Sequence, residues 1–201
     1  ARTDHLLLIG ANPMASNGSL WCVPDFRGHA KALRQRGGKL IVIDPRRTET
    51  AALADEHHFI RPGADVYLLL GMLNHLLARG PARLGRLEPL VVGLEALREA
   101  VQPYAPAVVA PRCGIDAATI ERLADELATA PAAAVYGRIG VNTQDYGSLC
   151  AWLIDVLNIV SGHFDTPGGT LFPKAAGFAS NTTGTPGQGR GVTTGRFASR
   201  V

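Results

Sequence analysis

Residues 40–71 read LIVIDPRRTETAALADEHHFIRPGADVYLLLG. An apolar run ends in Asp44, and Pro45, Arg46, Arg47 and Thr48 follow at once. Farther on, Arg61, Pro62, Gly63, Ala64 and Asp65 open a second apolar stretch. Two carboxylates, two backbone turns and several guanidinium groups therefore come to the same edge of an expected sheet. Such an edge suits holding a large anionic nucleotide rather than breaking a bond. Asp44 is placed to accept hydrogen bonds from ribose hydroxyls, or else to fix the Pro-Arg turn behind it. Asp65 is placed to face the N1–H and amino donors of a guanine, or else to cap the helix it starts, since aspartate is a favoured N-cap. Arg46, Arg47 and Arg61 are phosphate candidates as well as ordinary surface arginines.

The elements that must position these groups are legible in the hydropathy pattern. His5-Leu-Leu-Leu-Ile9-Gly10 reads as a buried strand ended by the turn Gly-Ala-Asn12-Pro13. Residues 24–36 read as a helix with a proline in the first turn and Gly37-Gly38 at its end. Lys39 to Asp44 is a second buried strand, so the first three elements form a βαβ unit, which implies a parallel sheet. A third short strand is expected over 57–60. Asp65 then caps a long helix whose stripe is Val66, Leu69, Leu70, Leu73, Leu76 and Leu77. Asp116 starts another helix, 132–136 form a strand, and Leu149, Trp152, Leu153, Val156, Leu157 and Val160 mark a last helix closed by Gly162. The alternation predicts an α/β fold: an open, mainly parallel, Rossmann-like sheet with helices on both faces, spanning residues 1–172. Residues 173–201, rich in Gly, Thr, Ser and Pro, form an irregular tail with too few large apolar residues for a core of its own.

In such a sheet a ligand crevice lies outside the carboxyl ends of the strands. The four loops Gly10–Pro13, Asp44–Arg47, Arg61–Asp65 and Gly137–Gly140 should converge there. Their glycines let backbone approach a ligand. Asn12, Ser16 and Ser19 are turn residues first and ligand contacts second. Among the histidines, His57, His58, His75 and His163 lack metal spacing with a carboxylate and read as core or surface residues. Cys22, Cys113 and Cys150 lie far apart, which fits reduced thiols better than a disulfide framework, a zinc site or a cluster. No base is visible beside Cys22. Neither G-x-G-x-x-G after the first strand nor G-x-x-x-x-G-K-[ST] occurs, which weakens an ordinary NAD-dependent dehydrogenase and a P-loop NTPase.

Composition narrows the class further. The 201 residues are 46% apolar and 18% charged, ordinary for one globular domain with a real core. A net charge of +3 and a pI near 9.0 suit an anionic ligand better than nucleic acid, which calls for clustered basic and aromatic residues. The longest apolar stretch is interrupted by Gly71, Asn74 and His75, so no signal peptide and no direct membrane insertion are expected, and a cytoplasmic location is. Beginning without Met and stopping in a polar run, the chain reads as a piece of something longer.

With these residues in view, the chain resembles the middle part of a molybdopterin oxidoreductase of the dimethyl sulfoxide reductase and formate dehydrogenase superfamily. The resemblance rests on LLLIGANPMAS (6–16), GGKLIVIDPRRTETAALAD (37–55), IRPGADVYLLLGMLNHLL (60–77), PAAAVYGRIGVNTQ (131–144) and LIDVLNIVSGHFDTPGGTLFP (153–173), in the family's order and spacing. The combination is specific; any single piece is weak. It implies a molybdenum or tungsten ion held between two pterin guanine dinucleotides, Mo-bis(molybdopterin guanine dinucleotide). It also implies an N-terminal [4Fe-4S] module elsewhere in the parent protein, and transfer of electrons or oxygen atoms to or from small substrates. By the same resemblance, Asn12, Pro13, Ser16, Ile43, Asp44, Pro45, Arg46, Thr48, Gly63 and Asp65 bind one guanine dinucleotide. Gly137, Arg138, Gly140, Thr143 and Gln144 approach the pterin near the metal.

There are departures. The family's cluster cysteines and metal ligand lie upstream of the matched segment, and Cys22 follows the Gly-Ala-Asn-Pro turn, the wrong place for that ligand. No catalytic or metal-ligating residue is therefore assigned. The family's Gly-x-Gly-x-x-Gln element appears with Gln144 shifted by one place and Thr143 in its position. The first reading is thus the cofactor-binding domain of a molybdenum enzyme, inactive alone, with the rest of the parent chain and electron-transfer subunits as partners. A metal-free scaffold relative, like the large iron–sulfur subunit of complex I, is the second. An unrelated nucleotide-binding module is the third.

Overall fold

The computed structural model describes residues 2–171. Four strands, β1 (His5–Ile9), β2 (Lys39–Ile43), β3 (Glu56–His58) and β4 (Ala133–Gly137), form one sheet in the order β3-β2-β1-β4. Every pairing is parallel, with Leu7 opposite both Ile41 and Val135. The apolar runs have a simple cause. A strand covered on both faces needs hydrophobic side chains at every position, not at alternate ones.

Alternation then decides which core each residue joins. Leu7, Ile9, Ile41, Ile43 and Val135 face the larger core, with Leu69, Met72 and Leu73 of α4 (Asp65–Arg79), Ile120 and Leu123 of α7 (Ala117–Thr129), and Leu153 and Leu157 of α9 (Gly147–Val160). On the other face Leu6, Leu8, Leu40 and Val42 meet Phe26, Ala30 and Leu33 of α2 (Phe26–Gln35) and Ala51 of α3 (Glu49–Leu53). The expected α/β sheet with helices on both faces is what forms.

Three details differ from the pattern reading. The third strand sits one residue earlier and is shorter than expected, leaving Phe59 59% exposed beyond it. Asp65 does not cap α4: the N-cap is Ala64, no side-chain cap bond forms, and Asp65 is already inside the first turn. Leu149 and Trp152 belong to α9 but face outward. Two helices were unread, α5 (Leu94–Val101) and α6 (Pro106–Cys113), besides a 3-10 segment at Gly85–Leu90. Short α1 (Pro13–Ser16) and α8 (Ile139–Asn142) complete the set among the described residues. The chain divides into two units, Ala1–Thr170 and Leu171–Val201. The irregular tail expected over 173–201 lies outside the described residues. Among those described, no helix is long and apolar enough to cross a membrane.

The order of the strands fixes where a crevice can be. From β1 the chain moves outward through β2 to β3, then returns through α4–α7 to place β4 on the other side of β1. That reversal, between the carboxyl ends of β1 and β4, is the switch point at which open α/β sheets bind ligands.

Candidate functional site

At the end of β2 the chain turns sharply because Asp44 accepts the Arg46 backbone N–H at 2.8 Å through Oδ1. Its carboxylate is 8% exposed, and its backbone is tied down as well: Asp44 N–H donates to the His58 carbonyl, and the Asp44 carbonyl contacts the His57 ring nitrogen at 3.0 Å. One carboxylate oxygen thus fixes the Pro-Arg turn. Ile43 keeps its side chain in the core and its carbonyl on the Gly10 N–H, so it supplies backbone geometry only. Pro45, Arg46 and Arg47 stand exposed at the rim, and neither arginine forms an ion pair among the described residues. Thr48 is buried and caps α3, accepting the Ala51 N–H at 3.1 Å.

The turn after β1 is clamped onto α3. Thr50 Oγ1 donates to Asn12 Oδ1 at 2.7 Å and accepts the Met14 N–H, while Asn12 Nδ2 donates to Glu49 at 2.9 Å. That bond lowers the Glu49 carboxyl pKa. Ser16 Oγ closes the turn on the Asn12 carbonyl at 3.1 Å. Asn12 is therefore a brace between two of the converging loops. Glu49 and Thr50, its partners, went unnoticed in the sequence because an interaction 37 or 38 residues apart leaves no local signal.

The glycines at the switch point also serve close packing. Gly140 N–H donates to the Gly10 carbonyl at 3.0 Å, and a Cβ on Gly10, which has φ +57, would lie 2.8 Å from the Val141 nitrogen. A Cβ on Gly140 would lie 2.9 Å from the Gly10 carbonyl, and one on Gly137 would meet Ile154 of α9 at 2.3 Å. These glycines let two loops and a helix pack against one another. Gly63 differs: its φ is +78, and a Cβ there would meet only the Gln144 side-chain oxygen, at an ordinary contact distance of 3.7 Å.

Asp65 is 5% exposed and holds one side-chain donor: Gln144 Nε2 bonds its Oδ2 at 2.8 Å. Burial raises the Asp65 pKa, the Gln144 bond opposes the rise, and the charge of Asp44 adds to it. The two carboxylates of the sequence motif thus lie close enough for the charge of one to raise the pKa of the other. Of the arginines, Arg61 is spent on the Pro111 carbonyl at 2.7 Å and braces α6. Arg138 is the reverse case. Its Nε is buried without a hydrogen-bond partner, and no carboxylate pairs with it among the described residues. Thr143 is exposed, with its hydroxyl on the Ile139 carbonyl. Cys22 is exposed, and its thiol points to the Ser19 carbonyl at 3.3 Å. Among the described residues no cluster of His, Cys, Asp or Glu could hold a metal ion.

The arrangement is donor-seeking: among the described residues the two buried carboxylates form no ion pair, and neither do Arg46, Arg47 and Arg138 at the same edge. A sugar's hydroxyls and a base's N–H groups satisfy the first, and phosphates the second.

Comparisons with known proteins agree on one group. The family model described as Molybdopterin oxidoreductase matches residues 1–195. Acetylene hydratase of Syntrophotalea acetylenica is 35% identical over 164 residues, covering 82% of this chain and 22% of that protein. Formate dehydrogenase H of Escherichia coli (strain K12) is 28% identical over 82% of the chain and 22% of its own length. Trimethylamine-N-oxide reductase of Haemophilus influenzae is 27% identical over 83% and 21%. The solved structure of acetylene hydratase from Pelobacter acetylenicus superposes with a TM-score of 0.69 at 31% identity, over 82% of this chain and 22% of that one. The chain thus spans about a fifth of the length of these relatives. A hydratase, a dehydrogenase and a reductase share the domain, so the domain alone does not choose the substrate.

Proposed function

The chain belongs to the molybdopterin oxidoreductase family, and from that premise we propose that it is the domain holding one guanine dinucleotide arm of Mo-bis(molybdopterin guanine dinucleotide) in a larger oxidoreductase. The observation that carries the reading is the pair of buried carboxylates, Asp44 and Asp65, at the carboxyl edge of a parallel sheet and outside any ion pair among the described residues. Burying unpaired carboxylates is costly unless donors meet them. Here Asp44 takes ribose hydroxyls through its remaining lone pairs, and Asp65 takes the N1–H and amino group of guanine. Gly63 leaves the backbone low enough for the base to approach. Arg46 and Arg47 at the rim contact phosphate, and Asn12, Pro13, Ser16 and Thr48 hold the two loops that frame the nucleotide. Gly137, Gly140 and Thr143 shape the wall toward the pterin, with Arg138 offering its unpaired guanidinium there.

The bound group supplies the redox or oxygen-atom-transfer chemistry on a small substrate; this domain supplies grip and orientation. The residues present fit the nucleotide part of the cofactor and supply no metal ligand among those described. In this reading the [4Fe-4S] cluster, the metal ligand and any electron-transfer subunits belong to other parts of the assembly. An exposed free thiol at Cys22 favours the cytoplasm.

The test is metal and nucleotide analysis of the full-length protein. Guanine nucleotide and molybdenum or tungsten should be released together, and Asp65→Ala should lower both. A protein carrying neither would instead be a metal-free scaffold, and normal guanine content in Asp65→Ala would remove the role assigned to that carboxylate.

A further inference from the structure

Gln144 already occupies the carboxylate that the base is expected to use. One hydrogen of its Nε2 goes to Asp65 Oδ2 at 2.8 Å and the other to the Val141 carbonyl at 2.9 Å. Its amide oxygen lies over Gly63, 3.7 Å from where a Cβ would stand. The amide therefore lies beside the Gly63–Asp65 turn and holds a carboxylate oxygen that an entering base would use. It does so with the same kind of group, a planar N–H donor, that guanine presents. Hydrogen bonds hold it there, a third and longer one reaching the Gly140 carbonyl at 3.4 Å, but Gln144 is only half-buried, and Asn142, Thr143, Asp145 and Tyr146 around it are exposed. The side chain can swing away without opening either core.

We infer that Gln144 is an internal competitor for Asp65, keeping the buried carboxylate hydrogen-bonded in the ligand-free chain and giving way when a base edge with its own N–H donors enters. The inference rests on the nucleotide reading above and goes beyond it. A competitor of this kind reduces affinity by the fraction of time Asp65 is free. That factor is the same for every ligand that needs the carboxylate and absent for any that does not. Gln144 thus sets a threshold of affinity without changing the order of preference among bases that use Asp65.

Guanosine, inosine and adenosine diphosphates separate the possibilities. Guanine offers Asp65 two donors, hypoxanthine one, and adenine sets an acceptor nitrogen beside its amino group. Calorimetric titration of the 201-residue chain, with Gln144→Ala and the bulk-conserving Gln144→Met, reads the effect. Both variants should tighten guanosine and inosine diphosphate by the same factor, about tenfold for releasing a charge-assisted hydrogen bond, and leave adenosine diphosphate unchanged. Guanosine diphosphate binding that depends on Asp65 but is unchanged or weakened in both variants would overturn the competitor while leaving the nucleotide reading intact. No guanosine diphosphate binding to any form, wild type included, would remove both.

Discussion

The two ends of the sheet handle charge in opposite ways. At the amino end Lys39, Glu56, Arg122 and Glu126 form a closed ring: Lys39 Nζ reaches Glu56 at 2.5 Å and Glu126 at 2.8 Å, and Arg122 reaches both carboxylates at 2.7 Å. His58 adds a contact to Glu56 at 2.9 Å. At the carboxyl end Asp44 and Asp65 are buried, Arg46 and Arg47 exposed and Arg138 half-buried, yet none of the five forms an ion pair among the described residues. Charges that hold a fold together neutralise one another within it. Charges kept apart, at a cost in stability, await something from outside. In the proposed function, the difference in pairing, not the number of charged residues, marks the binding edge.

Exchanging one carboxylate at each end gives the largest expected effect. Asp65→Asn should weaken guanosine diphosphate binding by about 100-fold, since two charge-assisted hydrogen bonds lose their acceptor charge, while thermal stability stays level or rises. Glu56→Gln should leave nucleotide affinity within about twofold and lower stability by about 1–2 kcal/mol, a figure already reduced for the exposure of Lys39 and Arg122. Isothermal titration and thermal melts on the same preparations make the comparison. If Asp65→Asn unfolds the chain or Glu56→Gln abolishes binding, the two ends are not divided in this way.

The pH dependence of stability sharpens the contrast, because the two carboxyl groups have opposite linkage. Burial pushes Glu56 up, but the bonds from Lys39, Arg122 and His58 outweigh it and bring the pKa from 4.5 to about 2. A depressed folded-state value means that Glu56 stabilises fully above its unfolded pKa, and that this contribution disappears as pH falls from 4.5 through about 2. Asp65, raised above 3.8 chiefly by burial, favours the folded state in its protonated form. Its contribution is present below that unfolded value and is lost as pH rises through the folded one. Urea unfolding between pH 2 and 7 should therefore show a shallower acid loss in Glu56→Gln. Asp65→Asn should gain most near neutrality. Parallel curves for wild type and both variants would sink the assignment of opposite signs.

How much of this was legible beforehand follows from the range of each interaction. The strands could be read because two-sided burial writes itself as unbroken apolar runs, LLLI and LIVI, and Asp44 could be read because it ends such a run. Asp65 is legible by position, but the capping role expected of it does not form: its side chain pairs instead with Gln144, 79 residues away. At Gly137 and Gly140 the atoms that exclude a Cβ are those of Ile154 and Gly10, a close packing that local spacing does not announce. The helix over 106–113 is obscured because Pro106 and Pro111 interrupt the cue and Val108 is exposed within it, whereas α5 carries a readable stripe in Leu94, Leu97 and Val101. Trp152 and Leu149 looked like core because spacing reports a stripe, not what covers it.

The smallest effect concerns Arg138. An arginine serving the fold would show itself by a partner, as Arg122 does at the other end, and its removal would cost stability. Arg138 instead has a buried Nε with no acceptor and no carboxylate among the described residues. Replacing it with Gln exchanges that charged, unsatisfied donor for a neutral amide, so the melting temperature should hold or rise slightly. The phosphate proposed to lie at this edge should nonetheless be bound less well. Guanosine diphosphate affinity should fall about threefold at low salt, the range of a partly exposed ion contact, and the difference should shrink toward nothing near 1 M salt, where the Debye length is ~3 Å. Arg122→Gln should behave in the opposite manner, with lower stability and unchanged affinity. A loss of stability in Arg138→Gln as large as in Arg122→Gln would assign both arginines to the scaffold, and the carboxyl edge would then lose a partly buried cation while keeping its two acids.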